Sequence, residues 1–183
     1  MRRSVGRLTV ELLPPAGPMR NISVSGKGRI TVPASLNLDI NGVSGDLRIL
    51  RCAGNLRVRT VSGNVFIDPA EKEVDCDTTS GNVTLLLKES TKVVDVSMSG
   101  GDVKVHVSPE MCATISVRCT SGEIYNHLKD AGYDVRLDVE SKPGSKTARG
   151  ELGGRVGGGG CTIQIQTVSG NVFFEPLTPA GTR

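Results

Sequence analysis

Apolar and polar residues alternate with a period of two along most of this chain, in short stretches divided by glycine-bearing turns. Leu47 and Ile49 flank Arg48, and Val103, Val105 and Val107 are interleaved with Lys104 and His106. A helix would bring its apolar residues back every three or four positions, so each stretch predicts a β-strand with one apolar face. The turns have their own rhythm. A Ser-Gly pair occurs at Ser25-Gly26, Ser44-Gly45, Ser62-Gly63, Ser80-Gly81, Ser99-Gly100, Ser121-Gly122 and Ser169-Gly170, with successive glycines 19, 18, 18, 19, 22 and 48 residues apart. A fixed period of this length marks a repeat architecture, in which one repeat is one structural unit stacked on the next.

The clearest copies are Thr60-Val61-Ser62-Gly63-Asn64-Val65-Phe66-Ile67, Thr78-Thr79-Ser80-Gly81-Asn82-Val83-Thr84-Leu85 and Thr167-Val168-Ser169-Gly170-Asn171-Val172-Phe173-Phe174. A half-period copy, Gly54-Asn55-Leu56-Arg57-Val58, lies midway between Gly45 and Gly63, so one coil holds two short strands and two turns. The expected fold is all-β: a single-stranded, right-handed parallel β-helix (a β-solenoid) with coils of about 18–19 residues, each strand pairing with its counterpart one coil away. About eight coils at a spacing of about 4.8 Å would give a body roughly 40 Å long. Gly45, Gly63, Gly81, Gly100, Gly122 and Gly170 are the predicted structural turn residues, placed where the backbone needs positive φ. Stacking would set Asn64 beside Asn82 and Thr60 beside Thr78, with amide hydrogen bonds along the asparagine column. Asp46 and Asp102 are expected to interrupt that column.

The expected organisation is an N-terminal cap or strand over residues 1–20, a solenoid over 21–175 with an irregular insertion at 126–149, and a C-terminal tail at 176–183. Arg7–Leu13 is the candidate N-terminal cap, needed because a solenoid end exposes unpaired strand backbone. No comparable cap is evident at the far end. The gap between Gly122 and Gly170 predicts two degenerate coils and extra loop, with a strand through Val135, Leu137 and Val139.

Composition narrows the picture. Only 37% of residues are hydrophobic and 3% aromatic, with no Trp, which suits a narrow core of Val, Ile and Leu rather than a thick layered one. The net charge of +3 is too mild to argue for nucleic acid. Cys52, Cys76, Cys112, Cys119 and Cys161 are odd in number and form no Cys-x-x-Cys pair, which predicts reduced thiols in an intracellular setting. No apolar run is long enough for a membrane span. The basic start, Met1 to Arg7, admits a mitochondrial address, although the alternation of Leu8, Val10 and Leu12 favours a strand.

Candidate chemistry is sparse. The repeated serines are explained as turn residues, and nothing resembles a nucleophile elbow. Asp68, Glu71, Glu73, Asp75 and Asp77 are the one dense source of carboxylates, read as a solvated loop rather than a glycosidase pair. Phe66 and Phe173 occupy equivalent repeat positions, which predicts packing, and His106 should project outward beside Lys104. Neither a metal site nor a phosphate loop is expected: Asp75-Cys76-Asp77 has no second ligand cluster, and Gly157–Gly160 has no following Lys-Ser/Thr. Arg48, Arg51, Arg57 and Arg59 fall close together and form the candidate partner-binding patch.

The repeated Val/Thr-Ser-Gly-Asn/Asp-Val motif, with Leu152-Gly153-Gly154, the glycine run and Ile163 to Val172, resembles the adhesin-like family of bacterial domains with a single-stranded right-handed parallel β-helix. The resemblance covers roughly residues 21–175. It implies this fold and is nearly silent on function; the thiols look more like an intracellular, eukaryotic branch. The expected role is a non-catalytic scaffold or protein-binding module, within whose scope falls an accessory subunit of a larger mitochondrial assembly. No cofactor is expected, and a protein partner or a second copy would cover a face or an open end. The alternatives are a diverged β-helix polysaccharide hydrolase or lyase, and a surface adhesin, which would place the protein outside the cytoplasm.

Overall fold

The computed structural model describes residues 9–11, 20–23, 29–31, 34–138, 147–158 and 160–177, and every element among them is a strand. Strands β1 (Thr9–Glu11), β2 (Arg20–Ser23) and β3 (Arg29–Thr31) are short, and β1 pairs in parallel with β3 in a sheet of its own. The body is a parallel β-solenoid with two strands per coil. The coils are β4 (Leu38–Ser44) with β5 (Leu47–Cys52), β6 (Leu56–Ser62) with β7 (Val65–Ala70), β8 (Glu73–Ser80) with β9 (Val83–Leu87), and β10 (Val93–Gly100) with β11 (Val103–Val107). Then follow β12 (Ala113–Asn126), a single bent strand that makes both sides of its coil, β13 (Val135–Asp138), β14 (Thr147–Val156), and a last coil of β15 (Cys161–Ser169) with β16 (Val172–Pro176).

Spatial order departs from chain order at one place. The first sheet runs β2-β4-β6-β8-β10-β15-β12, and the second runs β5-β7-β9-β11-β16 onto the far half of β12. The final coil is therefore inserted between the β10–β11 coil and the β12 coil instead of stacking after it. Six parallel coils form the body among the described residues, rather than about eight; with β2 at one edge and β14 and β13 at the other, the first sheet is nine strands across, about 38 Å at the usual strand spacing. The gap between Gly122 and Gly170 holds an antiparallel hairpin, not degenerate coils: β14 pairs antiparallel with both halves of β12, and β13 pairs antiparallel with β14. This hairpin caps the far end, which the sequence pattern did not reveal, because alternation identifies a strand but not the direction of its partner. Ser25-Gly26, Val139 and the tail beyond residue 177 lie outside the described residues.

The inward positions align into columns. Leu38, Leu56, Val74, Val94, Ile163 and Ile115 follow one another across the first sheet, and Ile49, Ile67, Leu85, Val105 and Phe174 across the second. Phe174 is the one aromatic ring in this buried set, so the core is narrow and aliphatic as the composition required. The inserted coil alone buries Ile163, Ile165, Val172 and Phe174 completely. At about 1.5–3 kcal/mol per side chain, their burial is worth about 10 kcal/mol. That is comparable with the whole net stability of an ordinary domain, about 5–15 kcal/mol.

The Ser-Gly corner explains the repeat. Gly45, Gly63, Gly81, Gly101, Gly170 and Gly122 lie in one column, with φ between 110° and 146°. From Gly63 onward, a Cβ on each would strike the carbonyl oxygen of the glycine below it in the column. Glycine is thus required twice, by positive φ and by the close approach of the next rung. The predicted Gly100 is replaced by Gly101: Gly100 aligns with Ser80 and Ser169, so it holds the serine place and the turn falls one residue later.

The polar residues of the motif close the corner. Ser62, Ser80 and Ser169 donate through Oγ to the carbonyls of Val43, Val61 and Ser99, at 3.1–3.2 Å. Thr60, Thr78 and Thr167 donate through Oγ1 to the carbonyl two residues on, at 3.2–3.3 Å. Along the outer corner, Asp46, Asn64, Asn82, Asp102 and Asn171 each accept through Oδ1 the backbone N–H of the next rung, at 2.8–3.2 Å. Asp46 and Asp102 therefore continue the asparagine column rather than interrupt it, because the contact that recurs needs only an acceptor.

Two substitutions separate the two demands on glycine. Gly45→Ala meets only the conformational cost, about 1–3 kcal/mol, since nothing lies near its Cβ position. Gly81→Ala meets that cost and the Gly63 carbonyl. Thermal melting should show a clearly larger drop for Gly81→Ala, while Arg57→Ala on an outer face should leave the midpoint nearly unchanged.

Candidate interaction surface

With the motif serines, threonines and asparagines engaged in corner hydrogen bonds, chemistry is left to the outward columns of the two sheets. The first sheet carries charge. One column runs Asp39, Arg57, Asp75, Asp95, Gln164, Ser116, and the next runs Asn41, Arg59, Asp77, Ser97, Gln166, Arg118. Arg57 pairs with Asp75 at 2.7 Å and Arg59 with Asp77 at 3.5 Å, each across one rung. Arg118 pairs with Glu151 of the capping hairpin at 2.6 Å. Glu73, Asp75 and Asp77 lie on β8, so the acidic stretch is largely strand, not loop.

Asp95 follows Asp75 in its column and has no Arg directly opposite it, since its other neighbour is Gln164. Partial burial, with the charges of Asp75 and Asp77 added, raises its carboxyl above the ordinary range. The folded chain then holds this proton more firmly than the unfolded chain does. Stability associated with Asp95 therefore increases as pH falls from neutral through its folded pKa, and is lost as pH rises. Asp95→Asn should melt above the parent at pH 7, and this advantage should shrink on acidification; an advantage that grows on acidification would contradict the assignment.

A shallow groove of about 540 Å³ lies between the column from Asn41 to Arg118 and an outer corner ridge that includes Val61, Thr79, Ser99, Val168 and Thr120. It has no aromatic lining, and its carboxylate, Asp77, is tied to Arg59. Among the described residues, no group of three or more His, Cys, Asp or Glu is placed to hold a metal ion.

The second sheet carries cations and rings. Its outward column runs Arg48, Phe66, Thr84, Lys104, Phe173, Tyr125. The Arg48 guanidinium sits over the Phe66 ring at 4.8 Å, and the Lys104 ammonium is 5.8 Å from the Phe173 centroid. Tyr125 stacks on Phe173 at 4.9 Å with planes 6° apart, and on His127 at 6.4 Å. His106 projects outward, two residues from Lys104, with Nδ1 at 3.5 Å from Glu175. Phe66 and Phe173 do pack, as their shared repeat position predicted, but on the outer surface with half-buried rings rather than in the core.

The four candidate arginines do not form one patch. Arg57 and Arg59 belong to the first sheet, and Arg48 and Arg51 to β5 in the second. Half a coil separates Arg48 from Arg57 in sequence, and half a coil turns the chain to the opposite side of the body. Arg51 is the one non-glycine residue with positive φ among the described residues, at 58°. The ring column was legible only in part, because Tyr125 and Phe173 meet through the insertion of the last coil beside β12.

All five cysteines are free. Cys76 is pushed up to about 12 and Cys161 to about 11, in both cases chiefly by burial, so neither is a ready nucleophile. Cys112 is the exposed one.

A repeated Ser-Gly corner on a two-strand parallel coil is the common ground with known proteins. The profile described as Toastrack DUF4097 matches residues 22–141, well over half of the 183-residue chain. The chain belongs to the Toastrack DUF4097 family. That assignment covers the coils from β4 to β12, while the capping strand β14 and the inserted coil fall beyond the matched span. No curated protein and no solved structure matches the chain. The Toastrack domain is a β-solenoid, in agreement with the architecture described here, and an adhesin role does not follow from it. No helix among the described residues is long and apolar enough to cross a membrane.

Proposed function

We propose that this Toastrack domain is a non-catalytic module that binds a protein partner across its second sheet. The observation that carries the reading is the column Arg48, Phe66, Thr84, Lys104, Phe173, Tyr125, half-exposed rings and cations held in register on a rigid sheet. Aromatic residues and Arg are the side chains that most often dominate protein interfaces, because they bury large area with few rotatable bonds. Arg48 and Lys104 are the cations of this column, and a partner with acidic side chains beside apolar ones fits that chemistry. The first sheet is the weaker candidate, since Arg57 and Arg59 already have carboxylate partners. A catalytic role finds less support: the repeated hydroxyls hold the corners and the buried thiols are protonated. The scattered, buried thiols favour a reducing intracellular compartment. A role as accessory subunit of a larger assembly, mitochondrial or other, belongs to the same proposal.

Crosslinking mass spectrometry in native extract tests it, with crosslinks read at Lys104 and Lys88. A Phe66→Ala/Phe173→Ala chain should lose its crosslinks to the neighbouring protein while melting close to the parent. Arg57→Ala/Arg59→Ala should keep them. Equal crosslinking of both variants would reject the second sheet as the binding face.

A further inference from the structure

The last coil is the one element whose place in the stack is not its place in the chain. β14 ends at Val156 beside Ala113 on one side of β12, and β15 begins at Cys161 beside Ala113 on the other. The link between them therefore steps over the start of β12, across two strand spacings, about 10 Å. Every residue of that link, Gly157 to Gly160, is glycine. Two of these positions lie against Cys112, where a Cβ on Gly157 would come within 2.8 Å of its Sγ and one on Gly160 within 3.2 Å of its carbonyl oxygen, whereas Gly158 has open space around it.

Without this coil, β10 and β11 on one side and β12 on the other would face a slot one rung wide. The slot is specific. Gly101 and Gly122 flank the place of Gly170, Asp102 awaits the Asn171 N–H, and Glu123 N–H awaits the Asn171 side chain. Nothing in these contacts requires that slot and coil belong to the same molecule. The coil is terminal in the described body, hangs on four glycines, and carries the same Thr-Val-Ser-Gly-Asn-Val-Phe motif as the coil at Thr60–Phe66.

We propose that the slot between β10–β11 and β12 is an interaction site for a second copy of this chain, filled by reciprocal exchange of the coil Cys161–Pro176 about the Gly157–Gly160 link. Exchange keeps every contact of the slot, and a partner copy's coil need not step over β12. The dimer so formed is isologous and closed, since each copy gives one coil and accepts one.

A native thiol makes the exchange readable. Cys119 on β12 is buried and lies in register with Thr167 on β15, at the strand separation a disulfide spans. Full-length Thr167→Cys should close a disulfide with Cys119 within one molecule when the coil stays home, and between two molecules when it is exchanged. After refolding over a range of concentrations and oxidation, non-reducing gels should show a covalent dimer whose share rises with concentration. The dimer should disappear in Thr167→Cys/Cys119→Ser. Removing Gly158 and Gly159 in the Thr167→Cys chain should make the dimer the major species where the parent is mostly intramolecular. Intramolecular closure alone at every concentration, or a ratio unmoved by the shorter link, overturns the proposal, and failure to form this disulfide at all overturns the insertion itself. The outward pair Arg118→Cys/Gln166→Cys, also in register, repeats the measurement on the surface should the buried thiol disturb folding.

Discussion

The corner column of glycines is the constraint on which the solenoid depends. Consecutive rungs approach so closely there that the carbonyl of one glycine occupies the space a side chain of the next would need. Every other regularity follows from that approach. At Gly63, Gly81 and Gly170 the neighbouring serine, threonine and asparagine bond to backbone groups of the corner, and the strands on either side are held at a common spacing. Because identical corners repeat, identical positions stack, and columns of like side chains arise on the inside and outside alike.

Columns turn a simple pattern into distinct surfaces. Inside, they make a narrow aliphatic core that needs one large ring, Phe174. Outside, the first sheet sets arginine against aspartate one rung away, and the second sets cation against ring. The same 18-residue repeat therefore builds a largely self-neutralised face and a face of aromatic and basic groups. The odd-even alternation along each strand keeps these surfaces apart from the core, and the half-coil turn keeps them apart from each other.

The insertion of the last coil is a different kind of feature. It is not demanded by the repeat, which would be satisfied by stacking in chain order. It follows from where the antiparallel hairpin ends. Once β14 lies along β12 as a cap, that side of β12 is taken, and the next coil finds a matching edge only on the other side. The cap and the insertion are thus one event, and the glycine run is the link that permits it. This order also joins Tyr125 to Phe173, so the surface proposed to bind a partner is completed by the inserted coil.

The sequence alone determined the class of fold, the two-strand coil, the inward and outward faces and five of the six corner glycines, because a period of two and a repeat of about 18 residues are local facts that backbone geometry translates directly. The asparagine neighbours were legible for the same reason. Position 101 was missed because two adjacent glycines offer two registers, and only pairing of Gly100 with Ser80 and Ser169 chooses between them. Tertiary structure alone decided which strand neighbours which beyond Val107, that the far end is capped by an antiparallel hairpin, and that Arg48 and Arg57 lie on opposite sheets. Alternation reports which residues face the core but carries no information about the direction or order of strand partners, and those are settled only when backbone edges meet.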